Sequence, residues 1–227
     1  GSSTDIYVST DYGVTWSNPT SSNVHNEYFF QVVSSSNGKN ATAVSGYDGG
    51  VFTTNDYGLH WYRQALHTDR NHYTSVQMSA DGNVIMVVDS QVLGGIYVSN
   101  NSGIDFSLNL NTPNISIAQI SASSDMQFIM TMFNNYVNST YVSSDGGESF
   151  DLTFYSNEET FNMMASSASG QLVVAGLSGD GGGGVYLYQP ACPTGYEHVG
   201  FLPAPSDPNG TNLCFNCPQG YYGQLTA

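Results

Sequence analysis

The chain has 227 residues, of which 40% are hydrophobic and 13% aromatic, and this is enough for one all-β domain with a small appendage. Its 18 acidic residues face only three cationic ones, and the net charge is −15. No basic patch is offered to neutralise phosphates, so the composition excludes nucleic acid and anionic membrane surfaces as expected partners.

Charged residues make up only 9% of the chain, so its surface must consist largely of Ser, Thr, Asn, Gly and Tyr. Such a surface suits a glycosylated protein, and we expect an extracellular or cell-surface location. The sequence holds no long apolar run, so we expect no membrane-spanning helix within it. No signal peptide is visible, and we expect the chain to be a mature form or a fragment.

An octapeptide near the amino terminus returns three times along the chain. STDYGVTW at 9–16 is followed by TNDYGLHW at 54–61, SNNSGIDF at 99–106 and SSDGGESF at 143–150. Their third residues are Asp11, Asp56, Asn101 and Asp145, which stand 45, 45 and 44 residues apart. Self-similarity at a fixed period of this length indicates a repeat architecture.

Short strands are predicted around each octapeptide. An alternating run precedes every copy, and a fifth run, GGVYLY, has no copy after it. Between copies lie two apolar runs joined by a Ser/Gly turn, as in VQMSADGNVIMVV, which indicates an antiparallel hairpin. Each repeat is thus four short strands in about 45 residues without helical periodicity, which predicts the blade of a β-propeller.

The octapeptide resembles the Asp-box, or bacterial neuraminidase repeat, of sialidases, sortilin-type receptors and other secreted propellers. The resemblance covers residues 1–189 and rests on the pattern Ser/Thr-x-Asp-x-Gly-x-x-Trp/Phe. It implies that the boxes lie at the periphery of the blades, away from any substrate site. The residues that match the pattern are Ser9, Asp11, Gly13, Trp16, Thr54, Asp56, Gly58, Trp61, Ser99, Asn101, Gly103, Phe106, Ser143, Asp145, Gly147 and Phe150.

We expect these residues to build a hairpin tip rather than a catalytic site. A carboxylate such as Asp11 accepts hydrogen bonds from turn amides, and glycine suits a position of positive φ. Asn101 replaces the acid in the third copy, and its amide oxygen can still accept those bonds. The substitution fits a structural role better than one that depends on charge.

Five Asn-x-Ser/Thr sequons predict N-linked glycans, at Asn40, Asn100, Asn114, Asn138 and Asn209, and we favour Asn100 and Asn138 for their exposure. No other cofactor is expected. Calcium could bind the Gly-rich turns that hold Asp48 and Asp180. Each turn has too few carboxylates for a dedicated site, so we predict ordinary turns and no metal.

The composition changes after residue 189, and we predict a second module over 190–227. Cys-Pro-x-Gly-Tyr occurs at 192–196 and 217–221, and this pattern is similar to the ephrin-receptor-like cysteine-rich modules of extracellular proteins. The spacing of Cys214 and Cys217 also allows a zinc ribbon or a redox pair, but a secreted context favours disulfides. We predict a Cys192–Cys214 disulfide, with Cys217 pairing to a later module.

We predict no catalytic residues. Sialidases, which the octapeptide resembles, hold the substrate carboxylate with three arginines, whereas this chain has only Arg63 and Arg70. Another hydrolase would need a carboxylate pair, and the candidates are Glu158 with Glu159 and Asp48 with Asp56. Adjacent carboxylates without a named partner are more often solvated charges.

The only cationic stretch is HWYRQALHTDRNHY, residues 60–73. It is predicted to connect the fourth strand of one repeat to the first strand of the next. The sharper alternative is a contact site in which Arg63, Arg70 and Tyr73 meet an acidic neighbour or a glycan.

The predicted strands begin with a third and a fourth strand (5–20), continue through three whole repeats, and end with a hairpin (160–178) and a third strand (183–189). One strand is then surplus to a closed ring of four. Either upstream sequence completes a larger propeller, or strands come from a neighbouring copy.

We therefore expect a non-enzymatic extracellular structural or adhesive glycoprotein, for example a filament subunit. Its partners would be other copies of itself or other extracellular proteins and glycans. The alternatives are a propeller-type glycoside hydrolase and a sortilin-like ligand-binding receptor ectodomain.

Overall fold

The computed structural model describes residues 5–18, 24, 27–46, 49–66, 72–91, 94–112, 116–133, 138–156, 160–178, 184–188, 196–197 and 215–216. All of its regular elements are β-strands. The first eight are Phe29–Ser34 (β1), Ala41–Ser45 (β2), Val51–Thr54 (β3), Tyr62–Gln64 (β4), Tyr73–Met78 (β5), Ile85–Asp89 (β6), Gly95–Ser99 (β7) and Ser107–Leu108 (β8). The others are Ile117–Ala122 (β9), Ile129–Phe133 (β10), Asn138–Ser143 (β11), Asp151–Ser156 (β12), Thr160–Ser166 (β13), Val173–Ser178 (β14), Gly184–Tyr188 (β15), Tyr196–Glu197 (β16) and Phe215–Asn216 (β17).

The strands form successive antiparallel sheets in chain order. Three sheets have four strands, β1–β4, β5–β8 and β9–β12, and a fourth sheet has three, β13–β15. We call these sheets blades 1 to 4. An isolated bridge between Val8 and Ser17 closes an amino-terminal hairpin, residues 5–18, which carries the first octapeptide. The all-β class and the four-stranded antiparallel sheets predicted from the sequence are confirmed.

The tail beyond residue 189 is described only at β16 and β17, which pair antiparallel with each other. Cys192, Cys214 and Cys217 lie outside the described residues, so the disulfide pairing stays a prediction. None of the described residues forms a helix long and apolar enough to cross a membrane.

The hydrophobic core lies between the blades. Val44 and Val51 of blade 1 form one buried cluster with Tyr73, Val76 and Ile85 of blade 2. Equivalent strand positions build the clusters between blades 2 and 3 and between blades 3 and 4. Each blade therefore has a leading face, which meets the preceding blade, and a trailing face, which meets the next one.

Backbone hydrogen bonds also join the blades, through the turns between the first and second strands of each blade, which we call the inner turns. The Ser36 amide donates to the Ala80 carbonyl, Ala80 to Ser124, and Ser124 to Ala168, each at 2.8 Å. Three identical rungs thus link four blades at one end of the strands. Because the rungs join successive blades in the same way, they fix a constant blade-to-blade placement.

The octapeptides connect the third and fourth strands, at the same end as the inner turns. The Tyr57 amide donates to the Lys39 carbonyl of the inner turn in its own blade, and Ser102 donates likewise to Asn83. The β2–β3 and β4–β5 connections must then lie at the opposite end, since neighbouring strands are antiparallel. Blade 1 therefore presents two distinct ends, one of turns and one of connections between strands.

Candidate functional site

The four octapeptide turns share one hydrogen-bond pattern around their first residue. In each copy the Ser or Thr hydroxyl accepts a bond from the glycine amide, as between Gly13 and Ser9, at 2.8 to 3.2 Å. The same hydroxyl donates to the Oδ1 atom of the third residue at 2.7 to 2.9 Å. The hydroxyl and the carboxylate are therefore both used inside the turn.

The seventh residue of the octapeptide completes the turn, and the sequence pattern had given it no role. Its backbone amide donates to Oδ1 of the third residue at 2.8 to 3.0 Å in all four copies. Its side chain also reaches the second carboxylate oxygen. Thr15 and Ser149 donate hydroxyls to Asp11 and Asp145 at 2.6 Å, and His60 Nδ1 lies 2.6 Å from Asp56 Oδ2.

The third copy keeps this contact but reverses its direction. Asn101 stands where the other copies have an acid, and its Nδ2 donates to Asp105 Oδ2 at 3.2 Å. The seventh position, a donor in Thr15 and Ser149, is here the acceptor. In this copy the third residue is the side-chain donor and the seventh residue is the carboxylate, the reverse of the first and fourth copies. The turn therefore keeps the same contact and still contains one carboxylate, that of Asp105.

These contacts hold the carboxylates of the octapeptide in their ionised form. The Thr15 hydroxyl, the Thr15 amide and the Ser9 hydroxyl lower the pKa of Asp11 to about 2. Slight desolvation raises the pKa of Asp56, but bonds from His60 and Thr54 outweigh it and lower that pKa to about 2. A carboxylate that holds its proton so weakly is a poor general acid at neutral pH.

The glycines have two reasons for their positions. Gly58 and Gly103 have φ of +81° and +84°, as the sequence pattern indicated. A Cβ at Gly103 would also lie 2.7 Å from Thr53 Cγ2 of blade 1, and one at Gly58 would lie 2.8 Å from Val8 Cγ2. The octapeptide turn thus packs its glycine against the preceding blade or hairpin.

The aromatic residues close over the turns with different exposure. The indole Nε1 atoms of Trp16 and Trp61 donate to the carbonyls of Gly13 and Gly58, each at 3.1 Å. Trp61 is buried with Phe52 at the leading face of blade 1, whereas Trp16 is 62% exposed. Phe106 and Phe150 are half-buried against the clusters between blades.

The inner turns, which the sequence predicted as Ser/Gly turns, also share one hydrogen-bond pattern, and that pattern was not predicted. Each inner turn has a Ser at positions 35, 79, 123 and 167, whose hydroxyl accepts the amide five residues later at 2.9 to 3.2 Å. In three copies that hydroxyl also donates to a side-chain oxygen two residues on, at Asn37, Asp81 and Asp125. The Ser-x-Asp/Asn spacing could have been found from the sequence, since it repeats every 44 residues.

Two of the three candidate contact residues, Arg63 and Tyr73, line one cavity at the other end of the strands, between blades 1 and 2. Arg63 lies on β4, and its Nη2 donates to the Gly49 carbonyl at 3.3 Å while the guanidinium lies 6.0 Å from the Phe52 ring centroid. Tyr73 begins β5 and is only 1% exposed, so its ring belongs to the core and not to a surface contact. Arg70 lies outside the described residues.

Arg63 and Tyr73 line a cavity of about 260 Å³, which we call the interblade pocket, together with Gly49, Gly50, Gln64, Ala65 and Leu66. Among the described residues the buried Tyr73 hydroxyl has no hydrogen-bond partner. Burial, and next the charge of Asp89, raise the pKa of the Tyr73 hydroxyl, so it stays protonated. Asp89 is buried at the end of β6 and accepts the Gln91 amide at 3.1 Å.

A groove of about 280 Å³ lies between blades 2 and 3 at the end with the octapeptide turns. Its polar lining includes Asn100, Asp125, Gln127 and Glu148. The Ser123 hydroxyl and the Gln127 amide lower the pKa of Asp125, which is then ill suited to donate a proton. The groove therefore brings the carboxyl groups of Asp125 and Glu148 to one cavity, but Asp125 does not have the raised pKa that a general acid needs.

The other predicted residues are placed as follows. Asn100 is exposed, and Asn40 is half-buried with its Nδ2 3.4 Å from the Gly82 carbonyl of blade 2. Asn138 begins β11. Asn114, Asn209, Asp48, Asp180, Glu158 and Glu159 lie outside the described residues. In the part of the chain that the structure describes, no group of three His, Cys, Asp or Glu side chains is placed to hold a metal ion.

Comparison with solved structures identifies the architecture. A structure of YCF48 bound to a D1 peptide matches 73% of this chain at 20% identity with a TM-score of 0.54. An ancestral GH74 enzyme matches 90% of it at 16% identity and a TM-score of 0.65. The Swd1 β-propeller domain of Myceliophteria thermophila matches 72% at 11% identity and a TM-score of 0.55.

These likenesses establish the class of fold: the chain is a β-propeller, with its four-stranded sheets as blades. It spans 51% of the YCF48 structure, 28% of the GH74 enzyme and 52% of the Swd1 domain. No protein-family model matches the sequence, and no curated protein matches it. At identities of 11 to 20% the likeness concerns the fold alone.

Proposed function

We propose that the chain is a non-enzymatic extracellular glycoprotein that serves as a structural or adhesive building block and joins its copies head to tail. In this proposal the octapeptides are Asp-boxes that set the blade turns, and the tail is a cysteine-rich module of the ephrin-receptor type. The observation that carries the proposal is a pair of complementary faces at the two ends of the row of blades.

The leading face of blade 1 is open at a position that the other blades cover. Val32 pairs with Ala43 in the same register in which Val76 of blade 2 pairs with Val87. Val76 is 0% exposed because it packs on blade 1, whereas Val32 is 60% exposed. Ile6 and Val24 cover other parts of the same face. The exposed patch therefore has the shape and chemistry of an interface between blades.

The trailing face of blade 4 offers the matching surface. Within the chain, the residue that precedes the Val32 position in one blade accepts a hydrogen bond from the next blade. The donor is the backbone amide at the position equivalent to Val32 in the first strand of that next blade. Gln31 accepts the Val76 amide at 2.9 Å, and Gln119 accepts the Met164 amide at 3.0 Å. The next pair in this series is Met163 with Val32 of another copy. Met163 is 65% exposed, so the two residues do not cover each other within one chain.

Such a contact is heterologous, since two different surfaces meet. Heterologous contacts that do not close into a ring produce open chains of subunits. Each interface between blades already packs the trailing face of one blade on the leading face of the next. A contact between two copies would repeat that packing. Strong net charge of one sign opposes association at low salt, and we expect salt to strengthen it.

The glycoside hydrolase alternative is supported by the likeness in fold to a GH74 enzyme, but the described residues offer no pair of carboxyl groups of which one has a raised pKa. Asp125 and Glu148 share a groove, yet the pKa of Asp125 is lowered. A glycosidase needs one carboxyl group whose pKa is raised so that it can protonate the leaving group. The likeness to YCF48 bound to a peptide would instead favour a ligand-binding ectodomain, as in a sortilin-like receptor.

Light scattering across a range of protein concentrations tests the proposal. We expect the mass of the full chain to grow with concentration, and Val32→Glu to keep it monomeric because a charge cannot be buried between blades without a partner. The matched control is Ile104→Glu, since Ile104 is 73% exposed at the tip of an octapeptide turn and off both faces. A wild-type chain that stays monomeric would overturn the proposal.

A further inference from the structure

The interblade pocket combines a cavity with a buried polar atom that lacks a partner. Tyr73 is 1% exposed, and its hydroxyl has no hydrogen-bond partner among the described residues. Buried polar side-chain atoms in native proteins are hydrogen-bonded with few exceptions, and an exception calls for a physical reason. A ligand group that enters the cavity beside Tyr73 would supply one. We propose that the interblade pocket binds a neutral sugar residue through Tyr73, Arg63 and the Gly49 carbonyl.

The pocket is built to admit one small group. Its volume is about 260 Å³, which is at the lower end of ligand sites and suits a single ring rather than a polymer segment. Gly50 keeps it open, because a Cβ there would lie 2.7 Å from Arg63 Nε. Ala65 and Leu66 add an apolar wall, against which the C–H face of a sugar can pack.

The polar groups of the pocket include both donors and acceptors. Arg63 carries five N–H donors, and only one of them donates to a described residue, at the Gly49 carbonyl. That carbonyl has a second lone pair, and the Tyr73 hydroxyl both donates and accepts. A sugar hydroxyl likewise donates and accepts, so it can satisfy all three. A carboxylate could only accept and would leave the carbonyl's lone pair unused.

Charge also favours a neutral ligand. Among the described residues that line the pocket Arg63 is the one cation, and the buried carboxylate of Asp89 acts on the same Tyr73 hydroxyl. The charges of Arg63 and Asp89 offset each other before any ligand enters, so an added carboxylate would leave a net negative charge near the buried Asp89. The net charge of −15 on the chain repels anions further.

The test uses the full chain and the methyl glycosides of glucose, galactose, mannose and N-acetylglucosamine, with binding followed by saturation-transfer NMR. We expect at least one of them to bind, and Tyr73→Phe to weaken that binding by about tenfold, because the bound sugar loses one hydrogen bond in a buried site. Arg63→Ala should weaken it as well. Tyr62→Phe is the matched control, since Tyr62 is 57% exposed and does not line the pocket.

A thermal melt of the same variants tests the premise. Removal of a buried hydroxyl without a partner leaves Tm unchanged or raises it, so Tyr73→Phe should be at least as stable as the parent chain. A lower Tm would mean that an ordered water already satisfies the hydroxyl, which would overturn the proposal. Binding of methyl glucuronide or tetraglutamate in place of the neutral glycosides, binding of none, or binding that Tyr73→Phe leaves intact would also overturn it.

The outcome is independent of the assembly proposed above. Val32 and Met163 lie on the outer blade faces, whereas the pocket lies between blades 1 and 2. Monomeric protein can therefore bind sugar, and assembled protein can fail to bind it.

Discussion

The donor and acceptor exchange at Asn101 and Asp105 identifies what the octapeptide turns need. The third residue must offer Oδ1 to one amide and one hydroxyl, and the third and seventh side chains must bond to each other. One carboxylate and one donor satisfy this in either order. The carboxylate does not have to be at the third position, since Asn101 keeps the Oδ1 contacts that Asp11 makes and Asp105 supplies the carboxylate.

This leads to a prediction for a pair of substitutions. Asn101→Asp alone removes the donor to Asp105 and sets two carboxylates side by side, so we expect it to lower the free energy of unfolding by about 1 to 2 kcal/mol. The double variant with Asp105→Thr restores the arrangement of Asp11 and Thr15 and should recover most of that loss. Urea denaturation measures both, and a harmless single variant would contradict the exchange.

A second prediction concerns pH. The pKa of Asp11 and of Asp56 is lowered to about 2 in the folded chain, below the usual value of 3.8. Folding therefore favours the ionised form, so this stabilisation is complete above pH 4 and is lost as the pH falls from about 4 to 2. We expect Tm to fall over that window.

The control for the pH prediction is Asp11→Asn with Asp145→Asn, measured by the same melts. These variants remove two carboxylates whose pKa is lowered, by the Thr15 and Ser149 hydroxyls above all, so the fall in Tm between pH 4 and pH 2 should become shallower. An unchanged slope would show that other groups govern acid unfolding.

At the scale of the element, the inner turns hold the blades in sequence. Each turn places its second residue so that its amide points at the next blade, and the Ala80 amide donates to the Ser124 carbonyl at 2.8 Å. The equivalent amide of Ala168, in blade 4, donates to no described residue. Among the described residues the last rung is therefore the bond from Ser124 to Ala168.

Proline substitution at these two alanines separates the rung from the turn. Both residues follow the first residue of a turn closed by a glycine amide, a position at which proline fits. We expect Ala80→Pro to cost about 1 to 3 kcal/mol through the unpaired Ser124 carbonyl, and Ala168→Pro to cost much less. Chemical denaturation compares them, and equal effects would argue against a role for the rungs.

The elements were predictable from the sequence and their contacts were not. Alternation around Phe52 and Tyr97 predicts a strand with one buried face, whereas β3 and β7 have both faces largely buried because each lies between neighbouring units of the repeat. The period of the octapeptides predicts that blades stack. Neither signal gives the distance between Thr53 and Gly103, or the burial of Tyr73, since both depend on how one blade sits against the next.

The candidate site likewise depends on contacts between blades that the sequence pattern does not give. The sequence favoured a plain connection over residues 60–73, and the sharper alternative placed Arg63 and Tyr73 in a surface contact. The structure keeps Arg63 exposed and places Tyr73 in the core at a cavity wall, because β5 packs on blade 1. The unpartnered hydroxyl is a property of packing, and no pattern of residue types could have predicted it.

At the scale of the whole molecule, the repeat places the same kind of interface between each pair of successive blades, and the proposed assembly would use that interface again. Every internal interface joins a trailing face to a leading face, and the two terminal faces carry the exposed Met163 and Val32. Because stacked repeats contact only their neighbours, a second copy can add to a terminal face much as one blade follows another. The proposed structural role thus depends on one contact, between Met163 of one copy and Val32 of another, and both side chains are exposed in the single chain.

Mixing two variants with one blocked face each tests this most directly. Val32→Glu blocks the leading face and Met163→Glu blocks the trailing face, so each variant alone should be monomeric by light scattering. An equimolar mixture should form a 1:1 dimer and nothing larger, since one trailing face and one leading face remain intact. A mixture that stays monomeric, or single variants that assemble as the parent chain does, would contradict head-to-tail assembly.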